Sequence, residues 1–337
     1  METQAVVVGD VWPSLCCKTI ADCFGLKTEP ELFIWTLDGS VAAAESRQNR
    51  ACLAFEASAL APFTYGKKSL AVTATNHITD FHDAGVAATL EALRQHGIHQ
   101  NGAGLNQKQA ELPTTIEIAE RRLIVLSFAE TATRVGAIAA TTTKAGVRPL
   151  ERESCLRAIS DARQKADWVW VILHWGTEFI RYPDPEQRKI AHEMVAAGAS
   201  LVVGSHAHVA LGYEKVNKGW IFYGLGNFLF PSFEEWRGYR YRWHPSARQG
   251  TAIIGRLTNG DWDWDAIGIH QDAKGLPHRT MSVRCPDYSV ELPTDPTEYL
   301  KMYDKLKQRE HRQYCCERLM FMTWKERAFR LKSLFCR

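Results

Sequence analysis

The 337-residue chain has no hydrophobic run long enough to cross a bilayer. Its longest apolar stretches, such as residues 168–173 and 221–223, are strand-sized, against the roughly 20 residues that a spanning helix needs. The opening METQAVVVGDVW has no basic flank, no long apolar core and no small-residue cleavage site. No signal peptide or anchor is expected, and the expected location is cytoplasmic, either free or peripheral at the inner face of the membrane. There is no CxxC pair among the nine cysteines, and their number is odd, which argues against a disulfide framework or a zinc knuckle and for free thiols in a reducing compartment. Charge of one sign is not in excess: 41 basic against 38 acidic residues leave +3, so no nucleic-acid partner is expected. Internal repeats and low-complexity linkers are also missing. With 45% hydrophobic and 23% charged residues, the composition excludes a disordered chain.

What is there is a repeated unit of strand, polar residue and helix. Residues 5–8, 32–37, 70–75, 123–128, 168–173 and 201–203 read as short buried strands, and 251–257 and 262–270 as late ones. Asp83 is expected to cap a helix over 84–96 that ends at Gly97. A second helix covers 151–165. A third starts at Asp184 with Pro185 behind it and Gln187 three residues after the cap, and stops at Gly198. Residues 216–219 read as a hairpin turn. This order predicts an α/β core with its chemistry at strand C-termini.

Polar residues recur at those strand ends: Asp10, Asp38, Asn76 with His77, His174, then His206 and His208. Each alone has an ordinary reading as a cap, a turn or a hydrogen-bonded loop residue. Six positions in chain order point to a shared site. In an extended segment His206 and His208, two residues apart, would point the same way. Carboxylates, an amide and imidazoles suit Mn, Fe or Zn, and two such ions would clamp a phosphoryl group and acidify a bridging water. Residues 224–227 (GLGN) close either a pocket floor or merely a tight turn.

These segments resemble the CapA family of poly-γ-glutamate capsule biosynthesis proteins, within the calcineurin-like metallophosphatase superfamily. Val8–Trp12 is similar to the family's opening Gly-Asp motif, with Trp12 where methionine is usual. Ala74–His77 with Asp80 resembles NNHxxD, with Thr75 in place of the first Asn, and residues 85–104 resemble the helix and GAG turn that follow. His174–Glu178 resembles HWGxE, and residues 185–199 the next helix. Gly204–Val209 resembles GHHPHV, with Ser205 and Ala207 in place of His and Pro, and Phe222–Phe228 resembles FYSLGNF. The usual Asn-Leu-Glu is matched best by Thr36-Leu37-Asp38. The resemblance runs from residue 5 to about 230.

The resemblance implies a metallophosphatase-like sandwich of two mixed β-sheets flanked by helices, with a metal shell of Asp10, Asp38, Asn76, His174, His206 and His208. Two divalent metal ions (Mn, Fe or Zn) are the implied cofactors. His77 would act beside them as an acid or anion stabiliser, and Glu178 would face the pocket. The implied function is a metal-dependent hydrolase in capsule or exopolymer production, partnered by the polymer-synthesis machinery. Two alternatives stay open: a phosphoesterase unrelated to capsules, and a non-catalytic accessory subunit of a membrane polymer synthase.

The expected organisation is a CapA-like domain over 1–275 and a C-terminal extension over 276–337. Residues 299–337 carry 11 basic and 4 acidic residues on an expected helix. That helix either lies on an anionic membrane surface or packs on the domain with a solvated basic face. The aromatic and basic block 236–243 is read as a surface insertion or a lid over the pocket.

Overall fold

Runs such as AVVV and WVWVIL show no polar alternation, the mark of strands covered on both faces. They form central strands in a computed structural model, which describes residues 2–13, 20–42, 52–132, 135–231, 233–235, 239–241, 243, 245–283 and 285–321. The first strands are β1 (Gln4–Val11), β2 (Leu32–Leu37), β3 (Ser69–Val72) and β4 (His99–Asn101), with α1 (His82–Gln95) before β4. Then come β5 (Thr114–Ile118), β6 (Arg121–Ala129), α2 (Arg152–Arg163), β7 (Trp168–His174) and α3 (Pro185–Ala196). β8 (Leu201–Ser205) leads into the hairpin of β9 (Tyr213–Val216) and β10 (Gly219–Phe222). The chain returns through β11 (Asn227–Leu229), β12 (Gln249–Thr258), β13 (Asp261–Gln271) and β14 (Pro277–Thr280) to α4 (Pro296–Phe321).

One sheet has the order β14-β13-β12-β1-β2-β3-β4, with β11 paired beside the end of β1; the other runs β9-β10-β8-β7-β6-β5. Both are mixed. β1 to β4 are parallel and β12 is antiparallel to β1, while β6, β7, β8 and β10 are parallel with antiparallel edges at β5 and β9. With α1, α2 and α3 attached, this is the α/β sandwich of two mixed sheets expected from the sequence.

Alternate residues of each strand serve two cores. Ala5 and Val7 of β1 join Ile34, Val125, Trp170 and Val203 between the sheets. Val6 and Val8 face the other way, into the cluster that includes Trp35 and Phe63. Trp170 meets Trp262 and Trp264 edge-on at 5.2 and 5.1 Å, closing one margin of the inter-sheet layer. Each large apolar side chain buried there contributes about 1.5–3 kcal/mol. Polar side chains are thereby kept out of the layer and gathered at its rim.

Local signals are mostly realised. Asp184 and Gln187 form a full capping box on α3, and Gly198 takes φ +116° after it. The 216–219 turn joins β9 to β10. Two expectations need correction. α1 begins at His82 with Phe81 at the cap position, and Asp83 sits in its first turn, favourable to the helix dipole without capping it. The strand expected over 70–75 ends at Val72, because Thr73 and Thr75 turn the chain into a 3₁₀ turn, Asn76–Thr79.

Among the described residues, no helix is long and apolar enough to cross a membrane. The start of α4 packs on the domain. The Tyr299 hydroxyl donates to the Pro183 carbonyl, Tyr303 is buried, and Glu310 pairs with Arg181 at 3.1 Å. Residues 322–337, the rest of the expected basic tail, lie outside the described residues, as do 236–238 and 242 of the aromatic block.

Candidate metal centre

Parallel strands end on the same edge, so the residues that terminate β1, β2 and β3 in one sheet and β7 and β8 in the other meet at one rim. Asp10 lies near the end of β1 beside Thr36, and Asp38 directly follows β2. Asn76 opens the 3₁₀ turn after β3, which Thr75 ties to β2 by donating to the Leu37 carbonyl at 3.0 Å. His174 is the last residue of β7, in register with Ser205 at the end of β8. The close approach of these segments needs glycine. A Cβ on Gly9 would lie 1.9 Å from the Gly226 carbonyl oxygen, and one on Gly204 would lie 2.0 Å from that of Tyr223.

The structure brings the six proposed ligands together. Asp10 accepts the backbone N–H of His206 at 3.3 and 3.1 Å through its two oxygens, joining one sheet to the other. His174 Nε2 lies 2.8 Å from Asn76 Oδ1, 3.2 Å from His206 Nδ1 and 3.8 Å from Asp38 Oδ1. His174 Nδ1 and His208 Nδ1 stand 3.8 and 3.7 Å from the Asp10 oxygens. His206 and His208 are not in an extended segment as expected. Both lie beyond β8 in the left-handed region, at φ 85° and 56°, so strand alternation is not what aligns them. Such backbone costs on the order of 1–3 kcal/mol per residue and clusters at functional sites. The Asp10 bond to His206 N, and the Ala207 carbonyl accepting from Phe179 N, hold it there.

Burial dominates the electrostatics of the two acids. Burial raises the Asp10 carboxyl to about 7, against its bond from His206. It raises Asp38 to about 6, against the attraction of His77. Among the described residues none donates a hydrogen bond to either Asp38 oxygen, and both are buried. Burial together with the neighbouring histidines holds His174 well below the ordinary imidazole value. His77 stands apart. Its Nδ1 bonds Asp80 at 2.9 Å, and the charges of Asp38 and Asp80 overcome burial and raise it to about 9. Asp80 is itself fixed by the Leu53 N–H at 2.6 Å. Glu178 is exposed at the rim, close enough for its charge to raise both Asp10 and His77.

This donor set fits a divalent cation. Two fully buried carboxylates, one of them accepting nothing, are costly unless a cation or proton joins them. The side chains are turned toward one another, and among the described residues no three His, Cys, Asp or Glu side chains stand as a formed metal-holding group.

Three further side chains contribute, of which Asn227 and Trp243 lie in the segments expected as a pocket floor or a lid, and Ser205 had no expected role. Ser205 bonds His174 Nδ1 at 3.0 Å, Asn227 bonds His208 Nδ1 at 2.8 Å, and Trp243 lies against the His208 ring at 5.0 Å with Phe179 and Phe230. Ser205 read only as a departure from a motif, and Asn227 as part of either a pocket floor or a turn. Their roles depend on contacts across strands. Gly226, at φ +67°, makes the turn, while Asn227 reaches the site.

The family model of the bacterial capsule synthesis protein PGA_cap matches residues 24–232. Over 161 residues the chain is 36% identical to the capsule biosynthesis protein CapA of Bacillus anthracis, covering 47% of this chain and 39% of that one. Over 159 residues it is 33% identical to the PGA biosynthesis protein CapA of Bacillus subtilis, covering 47% and 41%. A probable polyglutamine synthesis accessory protein of Mycobacterium tuberculosis is 30% identical over 164 residues, 46% of this chain and 43% of that one. The matches thus span about two fifths of those relatives' own length. Among solved structures, a 5'-nucleotidase precursor from Thermus thermophilus superposes with a TM-score of 0.43 at 11% identity, over 92% of this chain and 59% of that one.

Proposed function

The chain belongs to the bacterial capsule synthesis protein family PGA_cap, and on that premise we propose that it is a metal-dependent hydrolase serving capsule or poly-γ-glutamate-type polymer production together with the synthesis machinery. The carrying observation is the pair Asp10 and Asp38, fully buried at the strand ends among Asn76, His174, His206 and His208. These six would hold divalent cations, Mn, Fe or Zn by donor type. Cations so held supply a Lewis acid for a phosphoryl or acyl oxygen and a water that is easily deprotonated.

The chain's own residues do the rest. His77, kept protonated by Asp38 and Asp80, binds an anionic oxygen of the substrate or gives its proton to a leaving group. Asp80 orients that imidazole. Glu178, exposed at the rim, meets the substrate as it enters. Trp243, Phe179 and Phe230 exclude water on the His208 side.

A second reading is a non-catalytic accessory subunit of a polymer synthase. It is favoured by the second motif, where Thr36-Leu37-Asp38 stands in place of the resembled Asn-Leu-Glu.

Metal content per chain, measured by mass spectrometry on protein prepared without chelators, tests the leading reading beside a His206→Ala/His208→Ala double variant. We expect about two transition metals per chain and a sharp loss in the variant. Wild-type protein that stays metal-free after Mn or Zn reconstitution rejects the hydrolase reading and leaves the accessory one.

A further inference from the structure

We propose that Ser205 and Asn227 are positioning residues that keep the imidazole protons of His174 and His208 on Nδ1, leaving Nε2 of His174 as the nitrogen that holds a cation. The cation itself rests on the reading above; the proton placement rests on the hydrogen bonds alone.

The Ser205 hydroxyl has one proton, and it goes to the Leu173 carbonyl at 2.9 Å. Toward His174 Nδ1, 3.0 Å away, Ser205 Oγ can therefore only accept, and Nδ1 must carry a hydrogen. Asn227 makes the same demand by a different route. Its amide nitrogen donates to the Ala247 carbonyl at 2.9 Å, and a flipped amide would set two carbonyl oxygens against each other. Its Oδ1 thus faces His208 Nδ1 at 2.8 Å and accepts from it.

Both pins are fixed in the sheets. Ser205 is 1% exposed and stands opposite His174 in the β7–β8 register; Asn227 is fully buried and pairs with Asp10. No rotation of either imidazole keeps these bonds and also turns Nδ1 toward a cation. For His174, the remaining Nε2 is the atom that faces Asn76, His206 and Asp38. With Nε2 bare, it and Asn76 Oδ1 as oriented are two acceptors 2.8 Å apart, an arrangement that repels itself and attracts a cation. Ser205 occupies the place where the resembled motif has histidine, so this pin belongs to this chain's own residue.

The test uses the full chain. Nitrogen-15 spectra of histidine-labelled, metal-free protein should show the Nδ1–H form for His174 and His208, identified with His174→Gln and His208→Gln. Mn2+ titrations then compare wild type with Ser205→Ala, Asn227→Ala and Ser205→Thr. Each alanine variant should bind Mn2+ about 10–100-fold more weakly, the usual effect of removing a group that orients a metal ligand. Ser205→Ala should reduce the Nδ1–H share of His174 alone, and Ser205→Thr, which keeps the hydroxyl, should restore most of the affinity. A wild-type spectrum with the His174 proton on Nε2 overturns the proposal, as does a folded Ser205→Ala that binds Mn2+ like wild type. If Ser205→Ala does not fold, the wild-type spectrum and Asn227→Ala carry the decision. Wild-type protein that takes up no Mn2+ sinks the metal reading instead, and the spectrum still decides where the protons sit.

Discussion

Asp38 and Glu214 are buried alike, 0% and 2% exposed, yet their surroundings are opposite. Glu214 on β9 receives Arg188 at 2.7 Å, His192 at 2.9 Å and the Tyr223 hydroxyl at 3.2 Å. Burial works against its charge, but the bonds from His192 and Arg188 prevail and its carboxyl lies below the ordinary value. Arg188 also donates to the Pro293 carbonyl and stacks on Tyr299, so the cluster fastens α3 to the segment leading into α4. Asp38 has no such donors among the described residues, and its carboxyl is raised to about 6. One cluster is complete within the chain. The other leaves both Asp38 oxygens without a donor among the described residues, which is where the proposed cation would act.

Removing one partner from the complete cluster should cause the largest loss of stability. Glu214→Ala leaves the largely buried Arg188 without its carboxylate and should cost about 3 kcal/mol, read by denaturant unfolding, while metal uptake per folded chain stays unchanged. Loss of metal uptake along with stability would erase the contrast.

Asp38→Asn should act with the reverse sign. In metal-free protein near pH 8 it relieves a buried charge that His77 offsets only in part and should raise stability by roughly 3 kcal/mol, while metal uptake falls. A metal-free variant less stable than wild type would show that Asp38 is satisfied after all.

The pH response sharpens the same point. Asp10 at about 7 and His77 at about 9 are raised in the folded state. Their contributions are full below the unfolded values and are lost as pH rises through the folded ones. His174, lowered, works the other way only up to about its ordinary 6.5. Asp10 loses its contribution between about pH 4 and 7 and His77 between about pH 6.5 and 9, so between about pH 7 and 9 the metal-free protein should lose on the order of 1.4 kcal/mol per pH unit through His77, and Mn2+ or Zn2+ should flatten the slope. Glu214, lowered, has its contribution above the ordinary 4.5 and loses it only in acid. A metal-free slope of opposite sign above pH 7 would count against a protonated His77 between Asp38 and Asp80.

The smallest effect belongs to His192→Gln. Its side chain is 40% exposed, and Arg188 remains on Glu214. We expect less than about 1 kcal/mol at neutral pH, measured by thermal unfolding.

The strands and the rim residues were legible because both follow local rules. A β-branched run followed by Asp, Asn or His needs only its own neighbours to be read, and parallel pairing then gathers the ends. Three things were not legible. The left-handed backbone at His206 is held by Asp10, 196 residues away in sequence. Ser205 and Asn227 act through carbonyls at Leu173 and Ala247, which carry no sequence signal. The Glu214 cluster draws on positions 188, 192, 214, 223 and 293, which share no sequence motif.

The tight approach at Gly9 and Gly204 has a consequence for mutational scanning. Neither residue owns a functional group, but even alanine there meets a backbone oxygen at about 2 Å. A saturation library scored for function should show both columns as empty as those of the histidines. Ranking positions by intolerance alone would then count chemically mute residues among the reactive ones. Scoring abundance separately from function would sort them, since the glycine losses should remove the folded protein and the histidine losses should leave it in place.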